Sequence, residues 1–154
     1  TSAWSFAGTH MGQAFTGVAR AGFELALQYC HERKQGGRTL IDHQLTRYRL
    51  GDMLRRVELC RSVARRSLAY ARLSPLTHPY VTAAGKVTVT QEAMKVVDEA
   101  FQLFGGAGMS REYPIEKLYR DARVALIEDG ENTILTMRLG VLAQQLYAEG
   151  WSQT

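Results

Sequence analysis

The chain has 154 residues, enough for one domain with its own core, and its 45% hydrophobic and 22% charged residues are ordinary for a soluble globular protein. The net charge of +4 comes mostly from arginine, but the basic residues are scattered among Asp and Glu, which argues against a nucleic-acid surface. No apolar run is long enough to span a bilayer, so a membrane protein is not expected.

The opening stretch, TSAWSFAGTHMGQAF, lacks a basic segment followed by an apolar one, so no signal peptide is expected there. A helical stripe then begins: Met11, Phe15, Val18, Gly22, Leu25 and Tyr29 recur at gaps of three or four. Glu32, Arg33 and Lys34 lie at its far end, and Gly36-Gly37 is the expected stop. A second helix is expected from about Leu40 to Leu73, with Ile41, Leu45, Met53, Val57, Cys60, Ala64, Leu68 and Ala71 on its apolar face. Ser74-Pro75 ends it. A third runs from Pro79 to Phe104, clearest at Val97, Ala100, Phe101 and Phe104, with Gly105-Gly106 at its end. The loop AGMSREYP leads to a short element, IEKLYRDARVALI. After EDGEN comes a last helix through Ile134, Met137, Leu139, Leu142 and Leu146. Only three prolines interrupt the chain, and long helices joined by short turns predict an all-α, up-down four-helix bundle in one domain, 1–154. Cys30 and Cys60 have neither metal-site nor redox-motif spacing and read as buried, reduced thiols, which suits the cytoplasm.

Periodicity predicts a bundle and no activity. Five strings are more specific: GVARAGFELALQYCHERKQGG, DHQLTRYRLGDM, QLFGGAGMSREYPIEKLYRDARV, IEDGEN and the closing amphipathic helix. Their order and spacing resemble the C-terminal domain of the acyl-CoA dehydrogenase family over nearly the whole chain. Gly-Gly-x-Gly alone is weak. Glu112-Tyr113-Pro114 and Arg120-Asp121-Ala122 at matching offsets make the resemblance specific. It implies FAD as cofactor, an acyl-CoA or related thioester as substrate, and a homodimer or homotetramer. A heteromeric partner subunit is also compatible with it. It further implies that an N-terminal helical domain and a middle β-domain belong to the family's full subunit and lie outside this chain.

Two readings stand side by side for each candidate site residue. Arg33 and Gln35 match a region that meets the FAD of a neighbouring subunit in the family, and a guanidinium offers paired donors to a diphosphate. The other reading is a C-terminal arginine offsetting the helix dipole. The family's aromatic at the next position is Gly36 here. Leu40, His43 and Gln44 resemble a second cofactor contact, or simply a polar helix start. Gln102, Gly105, Gly106 and Gly108 match the string that meets the adenosine-diphosphate part of FAD; equally, glycines end helices. Arg120-Asp121 reads as a structural pair fixing a turn. Asp129 stands where many members carry the glutamate that takes the α-proton of the thioester, one methylene shorter, with Glu128 as fallback. The alternative is that Asp129 N-caps the last helix. An alternative base on the first helix would fall near Ala7, which cannot serve; a family arginine falls near Gly8, and a family threonine is Glu131. The function implied is α,β-dehydrogenation of an acyl thioester, with no metal. A flavin oxidase or monooxygenase of the same superfamily, or a non-catalytic partner subunit or interaction module, is the alternative.

Overall fold

The computed structural model describes residues 2–73 and 79–150, with side chains over 7–72 and 80–150. Among the described residues five helices carry the fold: α1 (Ser2–Glu32), α2 (Gln44–Leu73), α3 (Pro79–Phe104), α4 (Ile115–Val124) and α5 (Asn132–Ala148). A two-residue hairpin, β1 (Lys34–Gln35) with β2 (Arg38–Thr39), and a 3₁₀ turn at Leu40–Asp42 join α1 to α2. A second 3₁₀ segment, Gly105–Met109, follows α3. The all-α class expected from periodicity is observed. No described helix is long and apolar enough to cross a membrane.

Side-chain pairings fix the directions. Gly8 lies beside Lys86, Gly22 against Val97 and Tyr29 against Phe104, so α1 and α3 run parallel. Ser67 meets Val81, Cys60 meets Val89, Arg56 meets Glu92 and Arg49 meets Glu99, so α2 runs antiparallel to both. Tyr113 touches Phe104, Tyr119 touches Phe101 and Gly130 reaches Lys86, so the chain from α4 onward returns along α3. Asn132, at the start of α5, meets Thr90. Five helices therefore complete the up-and-down arrangement, with α4 a short return leg and α5 lying against α3.

The core is what the α1–α3 stripes supply: Phe15, Tyr29, Met53, Val57, Val89, Val96, Val97 and Phe104 are buried, joined by Ile115 from α4. Cys30 and Cys60 are buried and free, as their spacing suggested. Burial pushes the Cys60 thiol up to about 11, and its Sγ donates to the Val89 carbonyl. These are packing thiols with no nucleophilic character.

Four expectations are corrected or extended. The second helix begins at Gln44, because Leu40 closes the hairpin by donating its N–H to the Arg33 carbonyl at 2.8 Å. Gly36 and Gly37 have positive φ (63° and 81°), so they turn the chain back into a hairpin as well as ending α1. Leu45 is 62% exposed and does not belong to the apolar face of α2. On α5, Ile134 and Met137 are exposed, while Leu135, Leu139, Leu142 and Leu146 form the half-buried stripe. The helix is apolar on two faces, so periodicity could not choose between them. The Ser74-Pro75 stop lies outside the described residues.

The α2–α3 contact is close enough to demand glycine. A Cβ on Gly85 would fall 1.9 Å from Ser67 Oγ and 3.0 Å from its Cβ. Gly85→Ala should destabilise by about 1–3 kcal/mol despite its better helix propensity, and Ser67→Ala should recover part of that loss in thermal melts. Charge ties the same two helices. Arg56 bridges Asp52 and Glu92, and Lys95 adds to Glu92. Hydrogen bonds from Arg55 and Arg56 hold Asp52 below the usual carboxylate range. Burial opposes ionisation of Glu92, but Lys95 and Arg56 outweigh it and its pKa is also lowered. Both pKa values are depressed by folding, so this stability is complete above the unfolded pKa values, near pH 4, and is lost as pH falls through the folded ones. The melting temperature of Glu92→Gln should therefore fall less between pH 6 and pH 3 than that of the parent chain.

Candidate functional site

Because α1 and α3 run parallel, their C-terminal ends lie side by side. There Tyr29 stacks on Phe104, with centroids 4.1 Å apart and 21° between planes, and donates its hydroxyl to the Phe104 carbonyl at 3.4 Å. Tyr113 packs edge-on against both rings. Tyr29 and Phe104 of this cluster line a cavity of about 500 Å³. Arg33 and Gln35 line it from the end of α1, Leu40 from the turn, and Gln102, Gly105 and Gly106 from the end of α3. Six of the nine residues expected at a cofactor contact are thus brought together by the fold. Gln44 sits exposed at the start of α2, and neither it, His43 nor Gly108 is among the lining residues. His43 has a structural contact: its Nε2 donates to the Gln35 carbonyl at 3.0 Å and pins the hairpin.

The walls can bind a polar ligand. Among the described residues the Arg33 guanidinium has no ion pair, and the side-chain amides of Gln35 and Gln102 have no hydrogen-bond partner. A Cβ on Gly106 would meet nothing within 4 Å, so the backbone there is open to a ligand. Gly105 has φ 57° and makes the bend that ends α3. Gly108 serves packing: a Cβ there would lie 3.2 Å from both the Phe101 carbonyl and Phe104 Cβ.

Asp129 lies elsewhere, in the turn before α5. It is exposed and has a left-handed backbone, φ 50°, followed by Gly130 at 98°. It does not cap α5. Glu131 does, accepting from the Thr133 and Ile134 N–H groups at 2.8 and 3.1 Å. Those bonds to the backbone hold the Glu131 carboxyl below its ordinary range. Arg120 and Asp121 fix no turn: Arg120 pairs with Glu116 and Lys117 with Asp121, all along the face of α4. Ala7 and Gly8 lie on α1, and Gly8 is buried against Lys86. The described residues hold no cluster suited to a metal.

Sequence reasoning missed the support of this turn. Lys86 is 1% exposed, and its Nζ donates to the Gly130 carbonyl and Asn132 Oδ1, both at 2.8 Å. Asn132 Nδ2 donates in turn to Thr90 Oγ1 at 2.9 Å, and that hydroxyl returns its proton to the Lys86 or Val87 carbonyl. Burial lowers the Lys86 pKa, while the charges of Asp129, Glu128 and Glu131 oppose the shift. The available signal was a lysine inside the apolar, β-branched run VTAAGKVTVT.

A family model described as "Acyl-CoA dehydrogenase, C-terminal domain" matches residues 6–143. The probable acyl-CoA dehydrogenase FadE25 of Mycobacterium tuberculosis is 33% identical over 124 residues, which are 80% of this chain and 32% of that protein. The 3-sulfinopropanoyl-CoA desulfinase of Paraburkholderia xenovorans is 32% identical over 132 residues, 84% of this chain and 34% of that one. The structure of butyryl-CoA dehydrogenase from Megasphaera elsdenii superposes with a TM-score of 0.86 at 28% identity, covering 92% of this chain and 37% of that one. The chain belongs to the acyl-CoA dehydrogenase family, an FAD-dependent family, through its C-terminal helical domain, and spans about a third of the length of these relatives. Gly105→Ala, which forces a side chain into positive φ, should lower stability by about 1 kcal/mol, whereas Gly106→Ala should change it by less than about 0.5 kcal/mol in denaturant titrations.

Proposed function

We propose that this chain is the C-terminal helical wall of an FAD-dependent oxidoreductase that removes hydrogen from the α- and β-carbons of an acyl thioester. The observation that supports this reading is the convergence of Arg33, Gln35, Leu40, Gln102, Gly105 and Gly106 on one cavity. Its contents suit the diphosphate and ribose of a dinucleotide. An unpaired guanidinium provides two parallel donors, two carboxamides supply further polar contacts, and glycine backbone allows close approach. A volume of about 500 Å³ is that of a ligand site.

Within this reading Arg33 holds the diphosphate, and Gln35 and Gln102 orient the groups beside it. Asp129 takes the α-proton of the thioester on a carboxylate oxygen, and the electron pair of that C–H bond becomes the new double bond as hydride leaves the β-carbon. FAD, when bound, accepts that hydride. A carboxylate becomes an effective base when water is excluded. Asp129 is exposed on this chain, so the substrate and the parts of the protein beyond it provide the cover.

The distance between cavity and turn supports an oligomer. Gly130 hangs from Lys86 and the cavity closes at Phe104, eighteen residues further along α3, or about 27 Å at helical rise. Within this reading the two sets of residues serve different cofactor molecules, as they would in a dimer or tetramer. Exposed Ile134, Met137 and Val141 on α5, and Leu45, Tyr48 and Leu54 on α2, supply apolar surface for assembly.

The test takes the longest natural reading frame containing this chain, purifies its product, and follows the flavin spectrum as a panel of acyl-CoA thioesters is added. The expected result is bleaching by one thioester, slowed at least about a hundredfold in Asp129→Asn, with FAD retained more weakly in Arg33→Ala. The 154-residue chain alone should show no turnover. Flavin that consumes oxygen without bleaching under any thioester would favour an oxidase or monooxygenase. Absence of flavin would overturn the reading in favour of a partner subunit or interaction module.

A further inference from the structure

The Asp129 side chain has no hydrogen bond among the described residues, so it does not hold its own turn. Aspartate enters the left-handed region more readily than most residues, so what sets φ 50° at Asp129 is the turn around it. The surroundings here are few. The Asn132 N–H donates to the Leu126 carbonyl at 3.0 Å, the Glu128 N–H donates to the Val124 carbonyl at 3.0 Å, and Lys86 rises from α3 beneath the turn. We propose that Lys86 is the positioning residue for Asp129: its buried ammonium, donating to the Gly130 carbonyl and the Asn132 side chain, fixes the backbone that presents the Asp129 carboxylate. This inference rests on the reading of Asp129 as the base.

Three features favour positioning over a simple tie between helices. The Asn132–Thr90 bond already joins α5 to α3, so the fold does not need a second, charged link at the same place. Both bonds of the ammonium end within three residues of Asp129, one of them on the carbonyl of the very next residue. A buried ammonium is costly, and a neutral apolar residue would fill the same volume between α1 and α3 at lower cost. The ammonium also faces Asp129, Glu128 and Glu131, so it is balanced by the acidic turn it supports. Lysine has three donors on its ammonium and two are committed to the turn, which leaves little freedom for the carbonyl to swing. A displacement of about an ångström in a reacting group costs on the order of a hundredfold in rate, so a rigid turn matters here more than a stable one.

Lys86→Met keeps the chain length and removes the ammonium; Lys86→Arg keeps the charge with the wrong shape. In the 154-residue chain, amide hydrogen exchange should speed up at least about tenfold at Asn132 in Lys86→Met, with Ala19 and Ala64 unchanged. Unchanged exchange at the turn, or a uniform increase over all helices, would overturn the proposal. In the full flavoprotein, Lys86→Met should lower kcat by about ten- to a hundredfold with little change in KM, and Lys86→Arg should restore only part of it. Added to Asp129→Asn, Lys86→Met should cause no further loss, because both act through one carboxylate. A further independent loss in that double variant would show that Lys86 acts elsewhere. If Asp129→Asn alone leaves turnover intact, the base reading fails, and the exchange measurement still decides whether Lys86 holds the turn.

Discussion

Everything in this molecule depends on the burial of α3. It packs against α1, α2, α4 and α5, so it must meet neighbours on almost every side. The sequence meets this demand with small and β-branched residues: Val81, Thr82, Gly85, Val87, Val89, Thr90, Ala93, Val96, Val97 and Ala100 are all buried. Valine and threonine are poor helix formers by propensity. They serve here because short, stiff side chains let helix axes approach closely and lose little entropy on packing. At the tightest points no side chain fits, as at Gly85 against Ser67, and at Gly22 a Cβ would already lie 3.1 Å from Val97. Tertiary packing outweighs local preference along the whole element.

A central helix also brings polar groups together toward each of its ends. At its C-terminus the parallel run of α1 places two helix ends together, and glycine replaces side chain where the chain must bend and open. The Tyr29–Phe104 stack holds those ends at a fixed spacing, so the polar residues beyond them converge without contacting one another. Toward the N-terminus the same close packing leaves one charged residue, Lys86, beneath the turn that precedes α5. A charge in such a place is tolerable only with partners, and the structure supplies a carbonyl, a carboxamide and three nearby carboxylates. The two ends differ in character for this reason. The cavity is an opening bounded by uncommitted donors, and the turn is a bonded support that leaves the Asp129 side chain outward.

The helices were legible because their stripes are long, and the cavity residues because the strings that carry them resemble the acyl-CoA dehydrogenase C-terminal domain. Three things were not legible, each for a physical reason. The hairpin at Lys34–Thr39 is only two residues per strand, and Gly36-Gly37 reads equally well as a helix stop. The cap of α5 went to Glu131 over Asp129 because the turn places Asp129 in the left-handed region, where its side chain leaves the helix start. Aspartate is the commoner cap, so sequence statistics point to the wrong residue. Lys86 belongs to no motif. It stands out only as the one charge in an apolar run, and its partners lie more than forty residues away.

The exposed stripes of α2 and α5 follow from the same geometry. A helix apolar on two faces can bury only one of them within a bundle in which α3 is already surrounded. Leu139, Leu142 and Leu146 are half-buried, which leaves Met137, 66% exposed, and Val141 outward. Scattered exposed leucines need no explanation, but a periodic outer face on a helix does. A bundle built for solvent alone would carry charge there, as α4 does with Glu116, Lys117, Arg120 and Asp121. α4 thus presents a charged face and α5 an apolar one. In the proposed oligomer that apolar face is the one a partner subunit covers.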